Sequence, residues 1–170
     1  MSLLLRARVA AILYFVALAA ALSEELLLHG KPAAAVGLVA LFCNTTVSAL
    51  IFLIFRVVQR HVALLALILN LAGLACEAVH WQPHGIDLGL AFHGGYCVLI
   101  GFLIFESALL PQVFGVLMMF AGCAWLTYLS PPFANRISPY NLSLALLGEA
   151  SLMIWLMAKG VILERWRAAS

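Results

Sequence analysis

Charge is what this sequence has least of. Only 9% of its 170 residues are Asp, Glu, Lys or Arg, against 66% apolar, and its mean hydropathy is +1.13. Such a chain lacks the polar side chains needed to cover a soluble domain of this size, which excludes the soluble globular classes. A glycine-rich phosphate loop, a nucleophile elbow and a Cys-x-x-Cys pair are also absent, which removes the usual footholds of soluble enzymology. Cys43, Cys76, Cys97 and Cys123 show neither zinc-finger spacing nor an extracellular disulfide framework. All four fall inside apolar stretches and read as small packing residues. Asn44-Thr45-Thr46 spells a glycosylation sequon but lies within a span, where no transferase reaches. The net charge of +2 supports no nucleic-acid reading.

What the sequence has is long hydrophobic runs. A helical span needs about 20 apolar residues, and six runs qualify, at residues 8–28, 33–55, 61–81, 87–106, 110–129 and 141–163. The expectation is an all-α, polytopic six-helix transmembrane bundle forming a single domain over residues 1–170. The longest connection, 130–140, carries Pro131, Pro132, Asn135 and Pro139 and reads as an ordered surface loop. Arg6 and Arg8 ahead of an alanine-rich run would also describe a secretory signal peptide. A counterpart of this segment later in the chain argues for a retained first span.

The distribution of basic residues orients the bundle. With a cytoplasmic amino terminus, Arg6, Arg8, Arg56, Arg60, Lys159, Arg165 and Arg167 fall inside, and only Lys31 and Arg136 fall outside. This bias places both termini in the cytoplasm and the protein in the plasma (inner) membrane as a multi-pass protein. Trp81, Tyr128 and Tyr140 then sit at the outer boundary and Trp166 at the inner one, as interfacial anchors. The basic patches would attract anionic membrane lipid.

The chain also suggests three tandem helical hairpins. An offset of 50 places Phe42 and Phe52-Leu53-Ile54-Phe55 on Phe92 and Phe102-Leu103-Ile104-Phe105. An offset of 54 places Leu88, Leu90, Ala91 and Gly94 on Leu142, Leu144, Ala145 and Gly148. Weaker matches align the odd spans, with Glu24 falling on Glu77. In this register Cys43, His93 and Leu147 correspond, as do Thr45, Gly95 and Glu149, so polar chemistry replaces filler at two related places.

Ionisable groups inside a span are costly and suggest a working site. At 1.5 Å per residue, Glu77 lies about 7 Å, His93 about 9 Å and Glu149 about 13 Å from the outer ends of their spans. Glu24 and Glu25 lie at a similar depth. Asn70, Gly73, Glu77 and His80 share one helical stripe, with His84 beyond Pro83. Gly89, His93, Tyr96 and Ile100 share another, with Gly94 and Gly95 allowing a neighbouring helix to come close. Glu77-x-x-His80 is half of a carboxylate-bridged metal motif whose second copy is missing. What is left is a mononuclear site of Glu77, His80 and His93, joined by Glu149 or His84, or haem held by His80 or His93. The alternative is that these histidines are structural, bonded to carboxylates or to span-end carbonyls. Met118, Met119 and Met153 read as core filler, Lys159 as snorkelling to the interface, and Glu106 as solvated. Ser23 near the same layer is a weak foothold for a membrane hydrolase, and the expectation is a non-enzyme.

The segments Phe92-His93-Gly94-Gly95-Tyr96 and Leu99-Ile100-Gly101-Phe102-Leu103-Ile104-Phe105, with Ser107, Pro111, Gly148-Glu149, Trp155-Leu156 and Gly160, resemble the uncharacterised bacterial membrane proteins grouped as "domain of unknown function 4386". The resemblance covers mainly residues 60–165. It implies a small multi-span bacterial membrane protein with no assigned activity, and carries Gly148-Glu149 and Trp155-Leu156 over as a family pattern. Gln112 departs from it, standing where such sequences often have a basic residue, as does the short first external loop.

The expected role is binding of a small hydrophobic or metal-containing ligand in an outer-leaflet cavity. Glu77, His80, His93 and Glu149 would anchor the ligand, with Tyr96 and Asn70 as supporting donors. The alternative is a structural or accessory subunit, docking partners of a membrane complex or further copies of itself through small-residue grooves. A proton-coupled transporter would need a polar route into the inner halves of spans two to four, which are rich in Ile, Leu and Phe.

Overall fold

Residues 3–26, 31–107 and 109–162 are described by a computed structural model, and among them there is no strand. The helices are α1 (Leu3–Leu26), α2 (Lys31–Phe55), α3 (Arg60–Ala78), α4 (Leu88–Ser107), α5 (Gln112–Leu126), α6 (Pro131–Ile137) and α7 (Tyr140–Ala158). All but α6 are long and apolar enough to cross a membrane, α5 together with the 3-10 turn Thr127–Leu129 that continues it. A helix bonds its own backbone polar groups, which hydrocarbon cannot do for it, so the chain is a multi-pass membrane protein. The side chains of Glu24 and Glu25, and all of Arg165, Trp166 and Arg167, lie outside the described residues.

The packing departs from the soluble pattern on the outer face and at the helix seams. Large apolar side chains such as Leu38, Phe42, Ile68 and Phe120 point outward, while Ala7, Ala10, Ala11, Ala63, Ala66, Ala121 and Ala145 are buried. Lipid is as apolar as leucine, so helices gain by close approach rather than by hiding apolar surface, and small residues at the seams allow it.

The spanning helices form a closed ring, each packed on the next in chain order, with α7 returning to α1. Between α4 and α5 the seam is set by glycines seven residues apart on each helix. Gly94 meets Gly122, and Gly101 meets Gly115. A methyl group on Gly101 would stand 2.6 Å from the Gly115 carbonyl oxygen, and one on Gly122 would stand 2.6 Å from that of Gly94.

The structure differs from expectation in four places. α1 begins at Leu3, so Arg6 and Arg8 lie within the helix. α3 stops at Ala78, and His80 adopts a left-handed conformation at φ 50°. There the His80 N–H bonds the Glu77 carbonyl and the Trp81 N–H the Cys76 carbonyl. This is a Schellman closure, and it takes His80 off the stripe of Asn70, Gly73 and Glu77. The connection 130–140 contains α6, whose first turn accepts Pro131 and Pro132 because the amides there need no helical partner. Buried Asn141 donates to Thr127 Oγ1 at 3.2 Å beside it. The three hairpins follow one another as expected, but the residue register fails in the third. Cys43 is buried and His93 half-buried, whereas Leu147 points outward at 60% exposure.

Candidate functional site

Inside a bundle of apolar helices, a buried polar side chain is costly unless it is bonded to its own helix, to a neighbouring helix or to water. Here one set of polar side chains finds partners across the helices. Ser48 on α2 donates to the Asn44 carbonyl at 2.8 Å, leaving its oxygen to accept from Asn70 Nδ2 on α3. That fixes the Asn70 amide with its oxygen toward α4, where His93 Nδ1 lies 2.7 Å away. The oxygen only accepts, so the chain of bonds assigns a proton to Nδ1 and turns Nε2 toward α7.

Glu149 on α7 receives it. His93 Nε2 lies 3.3 Å from both carboxylate oxygens, and the carboxylate is buried. Tyr14 on α1 donates its hydroxyl to Oε2 at 3.1 Å. Trp125 on α5 donates its indole N–H to Oε1, and Cys97 Sγ lies 3.8 Å from the same oxygen. Indole N–H can only donate, so the surroundings suit an ionised carboxylate beside a protonated imidazole. Each of the six spanning helices thus contributes a polar side chain to one network. The Trp125 ring meets the His93 ring edge-on, with centroids 5.9 Å apart.

Beside this network lies a cavity of about 170 Å³. His93, Glu149, Asn70 and Tyr14 line it, with Asn44 and Glu77 among its other polar residues and Ala17, Leu18, Leu74, Leu90 and Leu146 among its apolar ones. Its walls lie toward the end of the bundle that carries the α3–α4 connection. Gly73 and Gly89 face one another in its wall, and a methyl group on Gly73 would stand 2.8 Å from the Gly89 carbonyl oxygen. The paired glycines let α3 and α4 close that side.

Of the residues singled out by sequence, His93, Glu149 and Asn70 come together in direct bonds. Tyr96 is buried with its ring centroid 5.6 Å from that of His93. Glu77 is exposed and lines the same cavity. His80 does not line it. It sits in a separate hollow of about 50 Å³ with Cys76, Glu77, Trp81, Gln82 and Asp87. The expected metal set Glu77, His80 and His93 is therefore split between two hollows, because the helix carrying the first two ends before His80. Among the described residues, the group of metal-ligand type with mutually close donor atoms is His93, Cys97 and Glu149, all within 4.8 Å.

Sequence reasoning missed Tyr14, Ser48, Cys97 and Trp125. Signals existed for three of them. Tyr14 is the lone polar side chain between Arg8 and Ser23, and Cys97 follows His93 by four positions on the same helical face. Ser48 follows Asn44 by four in the same way. Trp125 had no distinguishing signal, since indoles near span ends are common anchors.

Comparison with known proteins adds kinship without chemistry. No solved structure matches this chain. It is similar to an uncharacterised protein of Archaeoglobus fulgidus, 26% identical over 128 residues that cover 69% of this chain and 76% of that protein. That relative is an archaeal protein. The family described as "Domain of unknown function (DUF4386)" matches residues 74–160. That segment holds His93, Cys97, Trp125 and Glu149, with Tyr14, Ser48 and Asn70 outside it. On the strength of that match over half its length, the chain belongs to the DUF4386 family.

Proposed function

We propose that this membrane protein binds a small hydrophobic molecule carrying one hydrogen-bonding group. Its apolar body would rest against Ala17, Leu18, Leu74 and Leu90, and its polar end against His93 and Glu149. The observation that carries this reading is that a mutually bonded imidazole and carboxylate both line a mainly apolar cavity of about 170 Å³. A hollow of about 150 Å³ accommodates a benzene ring, so the bound portion is ring-sized. A longer ligand would extend past Ala21 and Glu77, the exposed residues of the lining.

The charge bias supports an orientation with both termini in the cytoplasm and the cavity in the outer half of the plasma membrane. Arg6, Arg8, Arg56, Arg60 and Lys159 lie at one end of the bundle, and Arg136 at the other. A proton-conducting or transport role is disfavoured by the plug of Ile51, Ile54, Ile100, Leu103 and Ile104, all buried on the other side of the network.

The test is native mass spectrometry of protein purified in mild detergent, beside a Leu18→Trp variant that fills the cavity. A bound small molecule on the parent, lost from a variant that remains monodisperse and helical, is the expected result. Equal occupancy of both proteins, or none on either after incubation with membrane lipid extract, overturns the reading. A second reading, an accessory subunit, is favoured by the saturation of Glu149 with internal donors. A stoichiometric membrane partner with no bound small molecule would decide for it.

A further inference from the structure

Cys97 is the group in the network that ligand binding leaves without a task. A thiol is a weak donor, and its 3.8 Å approach to Glu149 Oε1 is poor use of a buried polar contact. Placed with an imidazole nitrogen and a carboxylate oxygen, a thiol sulfur takes on another meaning.

We propose that His93 Nε2, Cys97 Sγ and a Glu149 carboxylate oxygen form a mononuclear site for a borderline-soft divalent metal ion, with zinc the reference case. The proposal stands on the donor set, independently of whether an organic molecule occupies the cavity. Around a tetrahedral zinc, bond lengths of about 2.0 Å to nitrogen and oxygen and about 2.3 Å to sulfur put the nitrogen and oxygen about 3.3 Å apart and the sulfur and oxygen about 3.5 Å apart. Here the nitrogen–oxygen separation is 3.3 Å and the sulfur–oxygen separation 3.8 Å. These two separations match the tetrahedral values to within about 0.3 Å, and all three donor atoms lie within 4.8 Å of one another. The i, i+4 spacing of His93 and Cys97 puts two of them on one helix face, and α7 supplies the third.

The surroundings match what a metal-bound histidine and carboxylate require. The second imidazole nitrogen donates to Asn70 Oδ1 at 2.7 Å, which orients the ring with Nε2 toward the metal position. Trp125 and Tyr14 each take one lone pair of the Glu149 oxygens, steadying the carboxylate while leaving others for a metal. His93 and Glu149 both line the cavity, which provides a fourth position for water or a small ligand.

Charge also balances, as an apolar bundle demands. Without metal, imidazolium, carboxylate and thiol sum to zero. Binding a divalent ion releases the Nε2–H and S–H protons, and the ion with neutral imidazole, thiolate and carboxylate again sums to zero. This differs from the set expected by sequence: it keeps His93 and Glu149, and puts Cys97 in place of Glu77 and His80.

Detergent-purified protein, stripped with chelator and titrated with Co(II), tests the site directly. One equivalent should bind with the visible bands of a tetrahedral ion and a near-ultraviolet thiolate-to-metal charge-transfer band. Cys97→Ala should abolish the charge-transfer band, while Cys123→Ala, which alters a thiol on the outside of α5, should leave it intact. Asn70→Leu should weaken zinc binding by about 10–100-fold, the usual effect of losing a partner that orients a ligand. Parent protein that is helical and monodisperse yet binds no Co(II) or Zn(II) overturns the proposal, as does a charge-transfer band surviving Cys97→Ala. Native mass spectra of the same samples separate the two readings, since an organic adduct on protein that takes up no Co(II) would defeat the metal site alone, and one bound Co(II) with no organic adduct would defeat the ligand reading alone.

Discussion

His93 Nε2 stands 3.3 Å from both carboxylate oxygens of Glu149, joining α4 to α7 across 56 positions of sequence. Because the imidazole is held from behind by Asn70 and the carboxylate from two sides by Tyr14 and Trp125, the pair is positioned before anything binds. Removing one member strands the other among apolar helices. Glu149→Leu is expected to cost about 3–5 kcal/mol, the penalty for leaving one half of a buried ion pair. The double variant His93→Leu/Glu149→Leu should be less destabilised than the two single effects added together. Unfolding in detergent across the four proteins of the cycle measures the coupling, and strict additivity would refute the pairing.

Asn70 relays between Ser48 and His93, so Asn70→Leu strands two bonds while preserving approximate volume. Polar contacts between membrane helices average about 0.6 kcal/mol and reach about 1.7 kcal/mol, and the upper part of that range is expected here. Ser48→Ala should cost less, because Asn70 then loses one donor contact and His93 keeps its partner. A reversed ranking in thermal unfolding would contradict the relay.

The α4–α5 seam predicts a contrast between glycines on one helix. Gly101→Ala drives a methyl group against the Gly115 carbonyl oxygen and the Met119 backbone, and should cost about 1–3 kcal/mol. Gly95→Ala meets only the tip of Leu69 at 3.2 Å, a flexible side chain that can yield, and should stay within about 0.5 kcal/mol. Melting temperatures of the two variants in the same detergent decide it.

His80 closes α3 in a left-handed conformation that costs residues other than glycine roughly 1–2 kcal/mol. His80→Gly should therefore raise the melting temperature. Since His80 does not line the main cavity, occupancy there should be unchanged. A loss of stability would show that the imidazole makes a contact outweighing its backbone strain.

Topology follows from the same architecture. In a background with all four cysteines replaced by alanine, a membrane-impermeant thiol reagent applied to intact cells should label Gln82→Cys and spare Arg60→Cys. The opposite pattern would invert the proposed orientation.

Much of the fold was legible because bilayer thickness converts hydropathy into helix count: six apolar runs became six spanning helices. The ends were less legible. α3 closes early through a Schellman turn made by His80, a residue type that does not announce such closures as glycine does. α6 hid behind prolines that usually mark irregular loops. At the site, His93, Glu149 and Asn70 were visible because polar residues in spans are conspicuous. Tyr14, Cys97 and Trp125 were not, because the same residue types also serve as ordinary packing or interfacial groups. Which helix faces which is a property of the ring, and no single span encodes it. The offset placing Leu147 beside His93 shows how a sequence match can preserve composition and lose direction.

The ring also has an order of construction. Glu149 lies on α7, which follows the other five spanning helices in the chain, so Tyr14, His93, Cys97 and Trp125 are all synthesised before the group that unites them. Until α7 enters between α1 and α5, four donors wait in hydrocarbon or borrow partners from the insertion machinery. A nascent chain stalled before α7 should therefore stay exposed to membrane quality control, and arrival of α7 would act as the latch that closes this ring.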